Sequence, residues 1–256
     1  MGGKARLTTR LLPLLPEHTT YVEPFAGAAN LLFAKPPSKV EVLNDLDQEL
    51  VNLLRTIKTR PNLLIRTARA IPYSRAWYER LQRELKTGLK GSRVQRAAKF
   101  WFLIRASFFG HPEKGWRFAI HTREGARLEN GLHQLEAVAA RLHGVYIDCL
   151  DFRRCIKNWD RPTTFFYVDP PYYGAVAYRR GVKPFTTQDH EDLAQLLHHL
   201  EGKWLLTYND HPKVHELYTG YPMIRMSTAM NTDKMAIGQT RRRLRQLVIH
   251  NYEVKR

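Results

Sequence analysis

Cysteine is almost absent: Cys149 and Cys155 are the only two in 256 residues. They have no paired spacing and no clustered histidine, so neither a disulfide framework nor a zinc site organises the chain. Long apolar runs are missing as well. None approaches the roughly 18 residues of a membrane span, and no signal peptide precedes the first helical pattern. Membrane attachment is not expected, and a reducing, cytoplasmic setting is. Acidic residues are scarce: 24 aspartates and glutamates face 41 lysines and arginines, a formal net charge of +17. An excess of that size favours a polyanionic partner. Internal repeats and low-complexity tracts are also lacking.

What is present is an ordinary globular composition, 43% hydrophobic and 25% charged, enough for one large α/β domain or one domain with an insertion. The stretch around which the rest is organised is Phe165-Phe166-Tyr167-Val168-Asp169-Pro170-Pro171-Tyr172-Tyr173-Gly174. The aromatic and β-branched run reads as a strand buried on both faces, and two consecutive prolines must end it. The stiff turn that follows lies at the strand's carboxyl end, where open α/β sheets place ligands. It offers a carboxylate, a carbonyl with no competing N–H beside it, and an aromatic face. A planar amino group on a heteroaromatic ring needs two acceptors for its hydrogens and a ring to stack on. A surface Asp-Pro turn with packed tyrosines is the plainer alternative.

Elsewhere the first sixty residues alternate as a βαβ unit. A short helix over 4–15 precedes strand 20–25, the small-residue loop Ala26-Gly27-Ala28-Ala29-Asn30, strand 39–44, Asp45, and a helix bearing Leu46, Leu50, Leu53, Leu54 and Ile57. Between 58 and 143 the alternation stops and long helical patterns appear, interrupted by a Gly-containing loop over 110–123 that carries Trp116. This reads as an inserted, mostly helical second domain, flanked by a domain of residues 1–57 and 144–256. Strands return at 145–149, 203–208, 222–227 and 244–252, with helices at 187–200 and 211–219 between them. The histidines read as surface residues.

The loop after the first strand allows close backbone approach to a ligand. It lacks the glycines of a dinucleotide fingerprint, so a phosphate grip is not expected. Asp45, at the end of the second strand, stands where such folds hold ribose hydroxyls, or it is only a helix cap. Asp151-Phe152 could hydrogen-bond and stack on an adenine ring, or be a solvated acid beside a packed phenylalanine.

Taken together, Gly2-Gly3-Lys4, Glu23-Pro24-Phe25-Ala26-Gly27, Asn44-Asp45, the helical insertion and Asp169-Pro170-Pro171-Tyr172 resemble the Dam-like family of adenine-specific DNA methyltransferases. The stretches 185–190, 206–210 and 247–252 are similar to that family too. The resemblance covers nearly the whole chain except the insertion, which matches the family's target-recognition domain in position more than in sequence. It implies a Rossmann-like α/β sheet of seven strands with an antiparallel last strand, S-adenosylmethionine as methyl donor, and no metal. It implies duplex DNA as partner; a monomer is expected. It also implies methyl transfer to the 6-amino group of a flipped adenine, with Asp169, Pro170 and Tyr172 catalytic. Lys4, Glu23, Phe25, Gly27, Asp45, Asp151, Phe152 and Asp169 would contact the donor. Arg105, Lys114, Trp116, Arg117, Arg123, Arg127, Arg241 and Arg243 are the expected DNA contacts, with Trp116 either a wedge into the duplex or, the more common fate of such a residue, a packed core aromatic. Two departures stand out. Ala29 replaces a second glycine of the donor loop, and no aromatic residue precedes Gly2-Gly3-Lys4; both would loosen donor binding. An amino-methyltransferase acting on RNA or cytosine, or a relative that only binds DNA, are the alternatives.

Overall fold

Two-residue alternation gives way to helical spacing near residue 48 and returns near residue 146, and the architecture follows that division. The structure is a computed structural model describing residues 3–112, 115–118, 124–174, 183–229 and 243–254. Helix α1 (Gly3–Leu11) runs into a short 3₁₀ turn, then strand β1 (Thr20–Glu23), helix α2 (Asn30–Ala34) and strand β2 (Val40–Asn44). Helices α3 (Gln48–Thr59), α4 (Pro61–Arg69), α5 (Arg75–Thr87), α6 (Arg93–Arg105), α7 (Glu124–His133) and α8 (Leu135–Arg141) follow. Strand β3 (Tyr146–Asp148), helix α9 (Phe152–Trp159), strand β4 (Thr164–Val168) and helix α10 (Thr187–His198) lead to strand β5 (Lys203–Asn209). Helix α11 (Pro212–Leu217), strand β6 (Met223–Ala229) and strand β7 (Arg243–His250) close the described chain. None of the described helices is long and apolar enough to cross a membrane.

Local chemistry fixes several of these ends. Asp47 caps α3 by accepting from the Glu49 and Leu50 N–H groups. Pro61 opens α4, where its missing donor costs nothing. Ser92 with Gln95, and Thr186 with Asp189, form capping boxes on α6 and α10.

The strands order as β3-β2-β1-β4-β5-β7-β6. Strand β1 pairs in parallel with β2 and β4, and β4 with β5. Strand β7 lies antiparallel between β5 and β6. The described chain packs as two compact units: one carries strands β1, β2 and β4 to β7, through Leu46 and again from Leu150, and Asp47–Cys149, which includes β3, forms the other.

The register gives the sheet two unlike faces. Val22, Phe166, Val168, Leu206, Tyr208, Leu247 and Ile249 share one face. They form the core with Phe152, Cys155 and Ile156 of α9, Leu193, Ala194 and Leu197 of α10, and Val214 and Tyr218. Each buried aliphatic side chain there contributes about 1.5–3 kcal/mol. The opposite face is mixed: beside the apolar Phe165, Leu205 and Val248 it carries Tyr21 and Glu23 on β1, Tyr167 on β4, Thr207 and Asn209 on β5, and Gln246 on β7. All but the half-buried Asn209 are buried. Burying so many polar groups is costly unless each finds a partner.

Candidate active site

Those partners converge at the carboxyl ends of the parallel strands. All five residues of β4 are buried, as its aromatic and β-branched run predicts. The chain leaves the sheet at Asp169, half-buried, and three neighbouring side chains hold the next residues. The Thr207 hydroxyl donates to Asp169 Oδ1 at 2.9 Å. Asn209 makes a reciprocal pair with the Tyr173 backbone, accepting from its N–H and donating to its carbonyl, both at 3.1 Å. The Gln246 amide donates to the Tyr172 hydroxyl, and the Tyr172 ring lies 6.2 Å from Tyr208. Two prolines and four side-chain bonds leave this tip little freedom before any ligand arrives.

Beside it, β1 ends in Glu23, a side chain only 1% exposed. Its Oε1 accepts from the Tyr21 hydroxyl at 2.7 Å and from the Leu32 N–H at 3.0 Å. Burial, with the charge of Asp169 adding to it, pushes the Glu23 carboxyl up to about 8. The turn that follows is small and tightly tied. Asn44 donates to the carbonyls of Pro24 and Leu150 and accepts from the Leu150 N–H, within 3.0 Å. The Asp45 carboxylate accepts from the Gly27 N–H at 3.0 Å. Asp45 therefore caps this turn, while Asp47, two residues on, serves as the helix cap.

Gly27 has φ 48°, and a Cβ placed there would meet nothing within 4 Å. Ala29 has φ 48° and ψ 38°, the only left-handed non-glycine residue among those described. This accounts for the glycine expected at that position: an alanine adopts the conformation only at a cost of about 1–2 kcal/mol.

Phe25, Phe152 and Phe185 form an aromatic trio with centroids 5.3–5.6 Å apart. Asp151 caps α9 through the Arg153 N–H and pairs with the Arg153 guanidinium. Arg153 also binds Asp189 and Asp192 of α10 at 2.5 Å; these bonds hold its guanidinium more firmly protonated than usual.

The structure thus brings Glu23, Phe25, Gly27 and Asp45, Asp151 and Phe152, and Asp169, Pro170 and Tyr172 to one end of the sheet. Lys4 falls within α1, where only the backbone is described. Sequence reasoning gave no site role to Phe185, Thr207 and Asn209, although they lie in stretches that carry the resemblance, and it missed Gln246. It also misplaced His190 and His250, expected at the surface and 4% exposed. His190 Nδ1 bonds the Tyr208 hydroxyl, and burial lowers its ring to about 4, so it is neutral at ordinary pH.

In the second unit Arg105, Arg117 and Arg127 gather. The Arg105 guanidinium donates to the Arg127 carbonyl at 3.1 Å and lies so close over Gly131 that a Cβ there would be 2.6 Å from it. Burial, then Arg127 and Arg117, lowers its affinity for a proton. Trp116 packs beside Tyr73 at 4.3 Å and Tyr78 at 5.4 Å, which leaves Phe118, 57% exposed, as the outward aromatic of this segment. Lys114, Arg123 and Arg241 lie outside the described residues, and Arg243 is described as backbone at the start of β7.

A parallel sheet whose last strand inserts antiparallel between β5 and β6, with a small-residue turn after β1, is the Rossmann-like methyltransferase architecture. Residues 1–232 match the model of the D12 class N6 adenine-specific DNA methyltransferase family, and the chain belongs to that family. It is 25% identical to the Type II methyltransferase M1.LlaDCHI of Lactococcus lactis subsp. cremoris, over 98% of this chain and 93% of that one. It is 24% identical to the Type II methyltransferase M.CviBI of Paramecium bursaria Chlorella virus NC1A, over 86% and 85%. A solved rRNA methyltransferase, aviRa from Streptomyces viridochromogenes, is 14% identical with a TM-score of 0.36, covering 97% of this chain and 85% of that one. This protein is accordingly an adenine-specific DNA methyltransferase, with S-adenosylmethionine as donor and DNA as substrate.

The residues after β1 fit such a donor. The turn leaves open space at Gly27. The carboxyl groups at 23 and 45 and the phenylalanines at 25, 152 and 185 offer hydrogen-bonding groups and aromatic surface for a molecule with ammonium, hydroxyl and purine groups.

Proposed function

We propose that the chain methylates the 6-amino group of an adenine turned out of duplex DNA, with Asp169, the Pro170 carbonyl and Tyr172 acting on the base. The amino nitrogen is a poor nucleophile because its lone pair is delocalised into the ring. Asp169 and the Pro170 carbonyl accept its two hydrogens, drawing the nitrogen towards tetrahedral geometry as it reacts. Asp169 then takes the proton that the nitrogen must lose. Tyr172 supplies the stacking surface that replaces the neighbours a flipped base has left. Bound S-adenosylmethionine supplies an electrophilic methyl group, and Lys4, Glu23, Phe25, Gly27, Asp45, Asp151, Phe152 and Asp169 are the residues that would hold it. The chemistry is positioning and electrostatic stabilisation, without a covalent enzyme intermediate.

The observation that carries this reading is the restraint on residues 169–173 by Thr207, Asn209 and Gln246. A rigid acceptor pair beside a fixed aromatic ring suits a planar amino-heterocycle. The helical insertion, residues 58–143, is the target-recognition domain on this reading. Arg105, Arg117 and Arg127 contact phosphates, Lys114, Arg123, Arg241 and Arg243 add to the same basic surface, and Trp116 braces the loop that carries Arg117. The enzyme works as a monomer in the cytoplasm.

The test is a substrate panel. Labelled donor is incubated with duplex DNA, the separated strands, and RNA of the same sequence, and the products are analysed as nucleosides. Methylated adenine from the duplex far above the other two is expected. Equal transfer to single strands removes the need for flipping, and preference for RNA overturns the proposal.

A further inference from the structure

We propose that Thr207 is a positioning residue for Asp169, held in its donating state by Tyr167. Thr207 is fully buried on β5, and its hydroxyl has one proton. A carboxylate can only accept, so that proton is committed to Asp169 Oδ1 at 2.9 Å. The Tyr167 hydroxyl lies 3.4 Å from Thr207 Oγ1. With the threonine proton already committed, Tyr167 must be the donor in that contact. A directed chain results, from Tyr167 to Thr207 to Asp169, across adjacent strands whose register fixes all three.

Tyr167 is buried and held above the ordinary phenol range by that burial, so it keeps its proton. Before methyl transfer the chain therefore points towards Asp169. It pins the plane of the carboxylate that receives the amino hydrogens. The stiff Pro170-Pro171 pair itself supplies no N–H with which to orient the acid.

The inference rests on the role given to Asp169 above, and the experiment separates the two. Single-turnover methylation is measured with saturating donor and duplex DNA for Thr207→Val, Thr207→Ser and Asp169→Ala. Val keeps the shape and removes the hydroxyl, and Ser restores it. Thr207→Val should slow the chemical step about tenfold to a hundredfold, the range a misplaced catalytic group costs. KM for DNA and donor affinity should stay within about twofold, the pattern of an interaction that matters only in the transition state. Thr207→Ser should recover most of the rate. Wild-type speed in Thr207→Val overturns the inference, as does a Ser variant as slow as the Val variant, provided Asp169→Ala is inactive. An active Asp169→Ala overturns the underlying reading instead. Should Thr207→Val fail to fold, Tyr167→Phe decides. A rate several-fold below wild type supports the chain, and an unchanged rate overturns it.

Discussion

The two faces of the central sheet are built from the same strands but obey different rules. On one, Val22, Phe166, Val168, Leu206, Leu247 and Ile249 meet helices α9, α10 and α11 as dry core, and shape and volume are all that matter there. On the other, Phe165, Leu205 and Val248 share the surface with Tyr21, Glu23, Tyr167, Thr207 and Gln246, which are equally buried yet polar, and each of these five has a named partner. The contrast separates what holds the protein together from what aims it. Apolar side chains gain their stability from area, whereas buried hydrogen-bonded groups gain little net stability and fix geometry instead.

Substitutions on the two faces should therefore separate stability from activity. The largest stability effect is expected on the apolar face. Leu197→Ala, 1% exposed and away from the carboxyl-end turns, should cost about 2–5 kcal/mol in urea unfolding. The specific rate of the remaining folded enzyme should stay at wild type. A large loss of specific activity would mean the faces are not separable.

Next comes Gln246→Leu on the polar face, which removes the donor to Tyr172. It should lower kcat/KM about tenfold, the equivalent of one hydrogen bond, with little change in melting temperature. A fall in melting temperature without loss of rate would assign Gln246 to the core.

Glu23→Gln probes the same face through pH. With its carboxyl raised to about 8 from an ordinary value near 4.5, Glu23 is protonated in the folded state where the unfolded chain has released the proton. Its contribution to stability is fully present below about pH 4.5 and is lost as pH rises through about 8. Wild type and Glu23→Gln should be equally stable at pH 4, with the variant ahead at pH 9. Unfolding curves at several pH values check this; a constant difference would contradict it.

The smallest effect concerns Ala29. Glycine adopts its left-handed backbone freely, so Ala29→Gly should gain up to about 1 kcal/mol, read as a raised melting temperature. A loss would show that the Ala29 methyl packs more than it strains.

How much of this was legible in the residue string depends on whether a signal is local. Strand β4 and its rigid tip are local: an apolar run followed by two prolines has few other readings. The Glu23 turn and Asn44-Asp45 were legible because small residues and acids fall at strand ends. The roles of Thr207, Asn209 and Gln246 were not, since each alone is an ordinary strand residue, even though the first two lie in a stretch that carries the resemblance. Their meaning lies in pairing, with Asn209 opposite Gln246 and Thr207 beside the residue after β4, and register between distant strands is not written locally. His190 was read as surface because it sits in the polar run Thr186-Thr187-Gln188-Asp189. Yet it shares a helical stripe with Leu193, Ala194 and Leu197, a period available in the sequence. Trp116 shows another limit: an aromatic in a Gly-containing loop suits a wedge or a packed core residue, and the contacts with Tyr73 and Tyr78 show the packing.

The central claim is that the polar face exists to aim Asp169 at an adenine amino group. It is tested most directly by incubating wild type and Asp169→Asn with labelled S-adenosylmethionine and unmethylated duplex DNA, with nucleoside mass spectrometry and a melting curve for each. The asparagine can still accept from Thr207, so the fold should hold and the melting temperature should not fall. Its amide N–H₂ would face the substrate donors, and N6-methyladenine should drop about 10²–10³-fold. Methyladenine formed by the variant at the wild-type rate would contradict the account.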